Sequence, residues 1–408
     1  MGAWLLIWPD KAYINTKDLT DFGSLENKRV TEGEVSFALC RPDGTVYSGY
    51  LAADEAPEEP EAGSLWLDTG GDETALRQYG EDGWTAVDDV CVRMNAAGIG
   101  IGFTAGDGIA VSGCRETALN GSFPLRSVED DYVVVTALPR SLSSQSDPVT
   151  VERSVPDMDY VVESGNRLWG CKYGIVNGQA VNAIYASKLG DFKNWNCYAG
   201  LSTDSYAASR GSDGAFTGAA DYLGNPLFFK ENCVERVYPS ASGAHQIVTV
   251  QCAGVKSGSS GSLRVVDGKL YYHSQGGVCV FDGSMPVHVS QALGEMRYHN
   301  AVAGALDGSY YLSAADENGA WHLLVLDTRQ GLWYREDGVE AVGFAPWGGD
   351  LYCLTAEGQL LAMKGTGETH EGPVQWMAET GELGLDAAES RYLVRLSLRL
   401  LPEAGSTV

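Results

Sequence analysis

Residues 267–283 read DGKLYYHSQGGVCVFDG. An Asp-Gly turn opens the stretch, and a short apolar strand follows through Leu270, Tyr271 and Tyr272. A Gly pair reverses the chain, Val278 to Phe281 forms a second strand, and Asp282-Gly283 turns it again. Asp-Gly and Gly-Gly supply the backbone freedom of a tight reversal, and the aromatic and β-branched residues between them suit a pleated strand. The stretch is one hairpin. The architecture of the chain depends on whether that hairpin recurs.

It does recur. SGNRLWGCKYG (164–174) leads into NAIYASKLGDFKNW (182–195), and GNPLFFKENCVERVYP (224–239) follows. After the opening hairpin come DGSYYLSAADENGAWHLLVLDTRQGLWYRED (307–337) and GGDLYCLTAEGQLLAMKG (348–365). Aligning the units on Leu168, Leu227, Leu270, Tyr311 and Leu351 gives separations of 59, 43, 41 and 40. A period near 40, with two clear strands per unit and room for two more, fits the four-stranded blade of a β-propeller. Helical repeats of that period would place apolar residues at i, i+3, i+4 and i+7. These segments instead alternate with period two, as in Leu324 and Leu326 against Val325. A β-sandwich of regular hairpins is the competing all-β reading, and the steady period favours the propeller.

Composition agrees with many short strands. The 408 residues include 51 Gly, 20 Tyr and 10 Trp, with 44% hydrophobic and 20% charged residues. That balance supports a packed core. Asp and Glu number 54 against 28 Lys and Arg, a net charge of -26. Such a surface repels phosphate backbones, which argues against sequence-specific DNA binding and would keep a DNA-conducting channel from sticking. The nine cysteines include no C-x-x-C and lie mostly in apolar runs such as Gly277 to Phe281, so they read as small buried hydrophobes of a chain folded in a reducing cytosol. No apolar run approaches ~18 residues, and MGAWLLIW has neither a basic n-region nor a cleavage site, so neither a membrane span nor a signal peptide is expected.

The repeat is interrupted. Residues 1–29 read as a partial first blade, with two strands flanking Pro9-Asp10. Residues 30–157 read as a small inserted β domain with its linkers: an acidic loop, a meander through Leu65–Leu67, Leu76–Tyr79 and Trp84–Val87, further strands, and the Ser/Pro-rich exit SLSSQSDPVTVERSVPDMD. An insertion whose ends lie close together adds little loop-closure entropy. Residues 158–383 then carry the main blades, and 384–408 read as a closing strand or the start of a C-terminal β-sandwich. The expected fold is all-β: a β-propeller of about six to seven blades, the first incomplete, with an inserted small β domain. Because RYLVRLSLRLLPEAGSTV breaks off as a strand, the chain is expected to be a segment of a longer protein or to begin at an internal methionine.

GSLWLDTGGDETALRQYGEDGW (63–84) resembles an accessory module of tailed-phage virion proteins. GDGIAVSGC (106–114) with LNGSF (119–123) resembles a tail and baseplate phrase. The stretch from ESGNRLWGC through NAIYASKLGDFKNW to NPLFFKENCVERVYPSASG resembles β-propeller structural proteins of phages and prophages of Gram-positive gut bacteria. The resemblance spans nearly the whole chain and is more remotely similar to tail-nozzle and DNA-stabilisation proteins. It implies a virion structural role in the neck or tail, assembly in the bacterial host cytoplasm, a homo-oligomeric ring, contacts with other phage structural proteins, and transient contact with passing genomic DNA.

The residues nominate turns before chemistry. SKLGDFKNW (187–195) resembles the Asp-box hairpin of sialidase-type propellers with its Gly and Asp exchanged, so Asp191 is read as accepting turn amides and Trp195 as packing beneath. VLDTRQGLW (325–333) repeats the idea with Asp327 and Trp333, and Asp282-Gly283 is a lone turn, as is Asp107-Gly108. None of the six His has metal-site spacing, so no metal and no cofactor is expected. GIGIGF (98–103) is followed by strand and turn where a Rossmann loop requires a helix, and GVKSGSSGS (254–262) lacks G-K-[ST]. His245 lies near Ser240 and Ser242 in a loop, without a nucleophile motif. No catalytic residue is nominated, and a non-enzymatic role is expected. The enzymatic rival is glycoside hydrolysis, which needs two carboxylates roughly 5 to 9 Å apart; Glu163, Asp204, Asp213 and Glu231 fall near blade turns. The other rival is receptor or glycan binding through Trp195, Tyr198, Tyr206 and Phe216, aromatics that equally fill the spaces between blades.

Overall fold

A computed structural model describes residues 1–363 and, beyond them, Met377, Arg395 and Ser397. The chain divides into Met1–Lys364 and Gly365–Val408. The closing strand or sandwich expected at 384–408 therefore lies outside the described residues, apart from two isolated positions.

The protein is all-β. Among the described residues, six antiparallel meanders follow the blade pattern, numbered I to VI in chain order. Blade I has three strands, Trp4–Ile7, Ala12–Asn15 and Asp18–Ser24. Blade II comprises Tyr160–Ser164, Arg167–Val176, Gln179–Ala186 and Tyr206–Ser209. Blade III comprises Gly218–Tyr222, Asn225–Phe229, Cys233–Tyr238 and Gln246–Gln251. Blade IV comprises Arg264–Val266, Lys269–Ser274, Gly277–Phe281 and Val287–His288. Blade V comprises His299–Leu306, Ser309–Ala315, Trp321–Asp327 and Leu332–Asp337, and blade VI has Ala341–Trp347, Asp350–Thr355 and Leu360–Ala362. The first strands of blades II and III meet, as do those of IV and V and those of V and VI. Neighbouring blades joined through their first strands are the packing of a β-propeller.

The opening hairpin shows how one sequence serves two neighbours. Tyr272 lies opposite Cys279, and Leu270 opposite Phe281. These four side chains join Tyr222, Leu227, Phe229 and Val234 of blade III. Tyr271 and Val278, on the other face, join Tyr310, Leu312, Leu324 and Leu326 of blade V. Successive side chains of a strand point to opposite faces, so a blade covered on both sides reads as an unbroken apolar run. The buried phenols find acceptors: Tyr272 donates to the Ala253 carbonyl at 2.7 Å and Tyr310 to the Ser262 carbonyl at 2.8 Å.

Between blades I and II the chain builds a different object. Seven strands form one sheet in the order Asn27–Val30, Thr150–Arg153, Gly108–Ser112, Gly121–Glu129, Tyr132–Val135, Cys91–Asn95 and Ser36–Cys40. Its edges are closed by distant segments, with Val151 opposite Arg29 and Cys91 opposite Cys40. Residues 27–29, assigned from sequence to blade I, thus belong to this sheet, because their ladder partner arrives more than a hundred residues later. A bulge between Leu125 and Ser127 lets the strand Gly121–Glu129 serve both halves of the sheet. The chain leaves at Cys40 and returns at Cys91, and between them forms a small sheet of Leu51–Ala53, Leu65–Asp68, Ala75–Gly80 and Gly83–Ala86. Its first strand pairs in parallel with the second, a strand the sequence reading does not contain. Leu67 and Leu76 seat this small sheet on the aliphatic core of Val92, Met94, Ile109, Val133 and Val151.

Candidate functional site

Each nominated turn residue has a definite place. Asp191 accepts the Lys193 amide at 3.0 Å, and its second oxygen takes the Asn194 side-chain amide. Trp195 is buried, donates from its indole to the Phe192 carbonyl at 3.0 Å, and meets Trp8 of the N-terminal blade edge to face. Asp327 accepts the amides of Arg329 at 2.9 Å and Gln330 at 3.1 Å, while Trp333 donates to the Val289 carbonyl at 2.8 Å and so ties blade V to the end of blade IV. Asp282 holds Ser284 through its amide at 3.1 Å and its hydroxyl at 2.6 Å. Gly283 has φ +106°, and its carbonyl accepts Arg236 at 2.9 Å.

Asp191 also opens onto a network that the sequence did not announce. Asp107 and Arg153, both buried, form an ion pair. Asn194 donates to the other Asp107 oxygen at 3.0 Å and accepts the Gly108 amide at 2.8 Å, and Arg153 reaches the Leu25 carbonyl at 3.1 Å. Lys188 adds a bond to the Gly106 carbonyl at 3.2 Å. Asp107 and Arg153 come from the seven-stranded region, and Asn194 and Lys188 from blade II, so the cluster welds the two. Read alone, Asp107-Gly108 is a turn. A signal was available at Arg153, a charge placed on a strand between buried positions. A second instance is Glu235, fully buried in CVERVY, on the face shared by Cys233 and Val237. Arg210 pairs with it at 2.8 Å and Thr249 donates at 3.0 Å.

The rival chemistries distribute differently. Glu163 pairs with the amino terminus at 3.0 Å. Asp204 accepts the Ala199 and Leu201 amides at 2.7 and 2.9 Å. Glu231 accepts the Ser257 amide at 3.1 Å, and Asp213 is exposed. His245 accepts the Ser240 amide on Nδ1 at 3.0 Å and sits between Trp169 and Tyr206, its pKa lowered by burial and by Arg167. Of the aromatics, Phe216 is buried under Lys230 and against Phe228, and Tyr206 leans on Trp169. Tyr198 is exposed. All nine cysteines are free thiols, and eight are buried. Among the described residues no cluster of three His, Cys, Asp or Glu could hold a metal ion, and no helix is long and apolar enough to cross a membrane.

The surface feature that remains lies at the two ends of the blade series. Trp4, Leu6 and Tyr13 of blade I turn toward blade II, where they meet Phe192 and Trp195. The opposite face is also apolar: Leu5 lies across from Ile14, and Ile14 across from Phe22, which is 67% exposed. At the other end, Leu354 and Leu360 stand opposite one another and both are exposed. Trp347, at the Trp347–Asp350 hairpin end of blade VI, is 75% exposed. Isolated exposed hydrophobes are ordinary; here they line up across neighbouring strands.

No family model and no curated protein matches the chain. Among solved structures it is similar to the computationally designed Ika8 protein, at 10% identity and TM-score 0.31, over 81% of this chain and 97% of that one. It is also similar to BamB from Moraxella catarrhalis, at 10% identity and TM-score 0.27, over 82% and 89% of the two chains. The endosialidase of phage phi92 aligns at 9% identity and TM-score 0.26, over 69% of this chain and 50% of that one. The propeller assignment rests on the strand order, the register and the packing between blades.

Proposed function

We propose that the protein is a structural component of a tailed-phage particle, placed in its neck or tail, and that copies of the chain join through their end blades into a closed ring. The observation that carries this reading is the pair of apolar end faces, Leu5, Ile14 and Phe22 on blade I and Leu354, Leu360 and Trp347 on blade VI. Two different faces on one subunit make a heterologous contact, and such a contact that closes by rotation makes a ring. The phage phrases in the sequence supply the particle, and the net charge of -26 suits a channel that genomic DNA crosses without adhering.

Mass photometry of the purified chain, with a blot of purified particles, tests the reading. A species several times 43.6 kDa together with a band in the particle is the expected result. Leu360→Asp should return the species to monomer. A monomer absent from particles overturns the reading and moves attention to Tyr198 and a free adhesin.

A further inference from the structure

Alongside the turn Gln275 to Gly277 of blade IV lies a cavity of about 670 Å³. His273, His288, Ser290, Glu295, Arg297 and Tyr298 contribute to its lining. Nothing in the assembly reading uses it.

Its decisive group is His273, 2% exposed on the strand Lys269–Ser274. Nδ1 of the ring lies 3.2 Å from Ser259 Oγ, and the same oxygen accepts the Ala301 amide at 3.1 Å. Ser259 is fully buried, and His273 Nδ1 is the acceptor within reach of its hydroxyl proton. The hydroxyl therefore donates to Nδ1, and the proton of the neutral ring resides on Nε2. Burial first, then the positive fields of Lys256 and His299, hold the ring pKa down at about 4, so it stays neutral near pH 7. Nε2–H has no acceptor among the described residues, and the ring lines the cavity.

The neighbours share its character. Ser290 Oγ accepts the Val278 amide at 2.9 Å, which leaves its own proton to give. Arg297 makes no ion pair among the described residues. Lys256 stands close by, donating to the Tyr298 carbonyl at 2.8 Å, and Glu295 is the one carboxylate in the lining. In a chain with 54 acidic and 28 basic residues, this corner is locally basic and rich in unclaimed donors.

We propose that this cavity binds a small ligand through an oxyanion, a carboxylate or a phosphate group, which accepts the His273 Nε2 and Ser290 hydroxyl protons and pairs with Arg297. Planar guanidinium and neutral N–H donors converging on one site recognise an oxyanion by charge and by geometry together.

Calorimetric titration of the full chain with inorganic phosphate, acetate and glucuronate tests the proposal. At least one probe should bind saturably, and which one identifies the source of the oxyanion. Glucuronate at least tenfold tighter than acetate assigns a sugar acid, and phosphate tighter than both assigns a phosphate. Arg297→Gln should weaken that probe at least fivefold, and Ser290→Ala about threefold. His273→Phe should weaken it at least tenfold, while His273→Gln, which keeps an N–H donor near the Nε2 position, should stay within threefold of the parent. Absence of saturable binding by all three probes overturns the proposal, as does parental affinity in both Arg297→Gln and Ser290→Ala. These two surface-side variants decide the matter even if the His273 variants do not fold.

Discussion

The blades and the seven-stranded sheet are both antiparallel, yet they are built by opposite routes. Blade IV pairs Leu270 with Phe281, eleven residues apart, and every ladder in it closes locally. The seven-stranded sheet pairs Arg29 with Val151 and Cys40 with Cys91, and its edges exist only when distant segments meet. Their cores differ accordingly. Blades meet through ring layers, Phe229 on Tyr272 and Tyr271 on Tyr310, whereas the seven-stranded sheet is filled by Val92, Met94, Ile109, Val133 and Val151. Local pairing leaves a repeat in the sequence. Non-local pairing leaves only alternation, whose partner is not marked.

The buried joint between the two regions provides the strongest way to break that contrast. Asp107→Ala strands the Arg153 charge in a water-poor site and should lower stability by about 3–5 kcal/mol in urea unfolding. Asp107→Leu combined with Arg153→Met should recover most of the loss. A single variant that unfolds like the parent would mean that the Asp107–Arg153 pair does not hold the joint.

Next in size is a pH effect confined to the blades, because residues 27–153 contain no histidine. The His273 pKa is depressed to about 4 from an ordinary 6.5, so the unfolded chain takes the proton first. The stabilisation is complete above pH 6.5 and is lost as pH falls toward 4, by up to about 3 kcal/mol. Urea midpoints of the parent and His273→Gln, compared at pH 7 and 5, should diverge at pH 7 and draw together at pH 5. A constant difference would assign the slope elsewhere.

Two glycines then compare the regions at matched positions. A Cβ at Gly100 would collide with the Glu129 carbonyl, and one at Gly254 with the Lys230 carbonyl. Each Gly→Ala change should destabilise by about 1–3 kcal/mol, since backbone must shift to admit the methyl. A much smaller loss at Gly254 would show that the blade margins yield more easily than the seven-stranded sheet. The smallest stability effect is expected from Trp347→Ser on the open end of blade VI, within about 0.5 kcal/mol in thermal unfolding of the monomer.

What could be read from the chain follows the same division. The hairpin at 267–283 and its copies were legible because turn chemistry and period-two alternation recur within each unit. The small meander at 65–87 was legible for the same reason, but its parallel strand Leu51–Ala53 was not, since three residues carry no period. Asp191, Trp195, Asp327 and Trp333 could be singled out because a carboxylate before a turn has few uses. Sequence alone gives Asp107 only as a turn, because its partners, Arg153 and Asn194, are distant in sequence. The oxyanion cavity depends on Ser259 and Ala301 meeting His273, a juxtaposition no spacing encodes.

The pairing of Cys40 with Cys91 has a practical consequence. Residues 41–90 leave and return at the two ends of one rung, Cys40 opposite Cys91, about 5 Å apart. The segment is also tied to the framework along its length, through the Tyr47 amide on the Leu39 carbonyl at 2.8 Å and Arg140 on the Gly71 carbonyl at 2.7 Å. Leu67 and Leu76 press its underside onto the aliphatic core beneath. The fifty residues between Cys40 and Cys91 therefore act as a lid whose removal would bare the aliphatic core of the sheet that carries it.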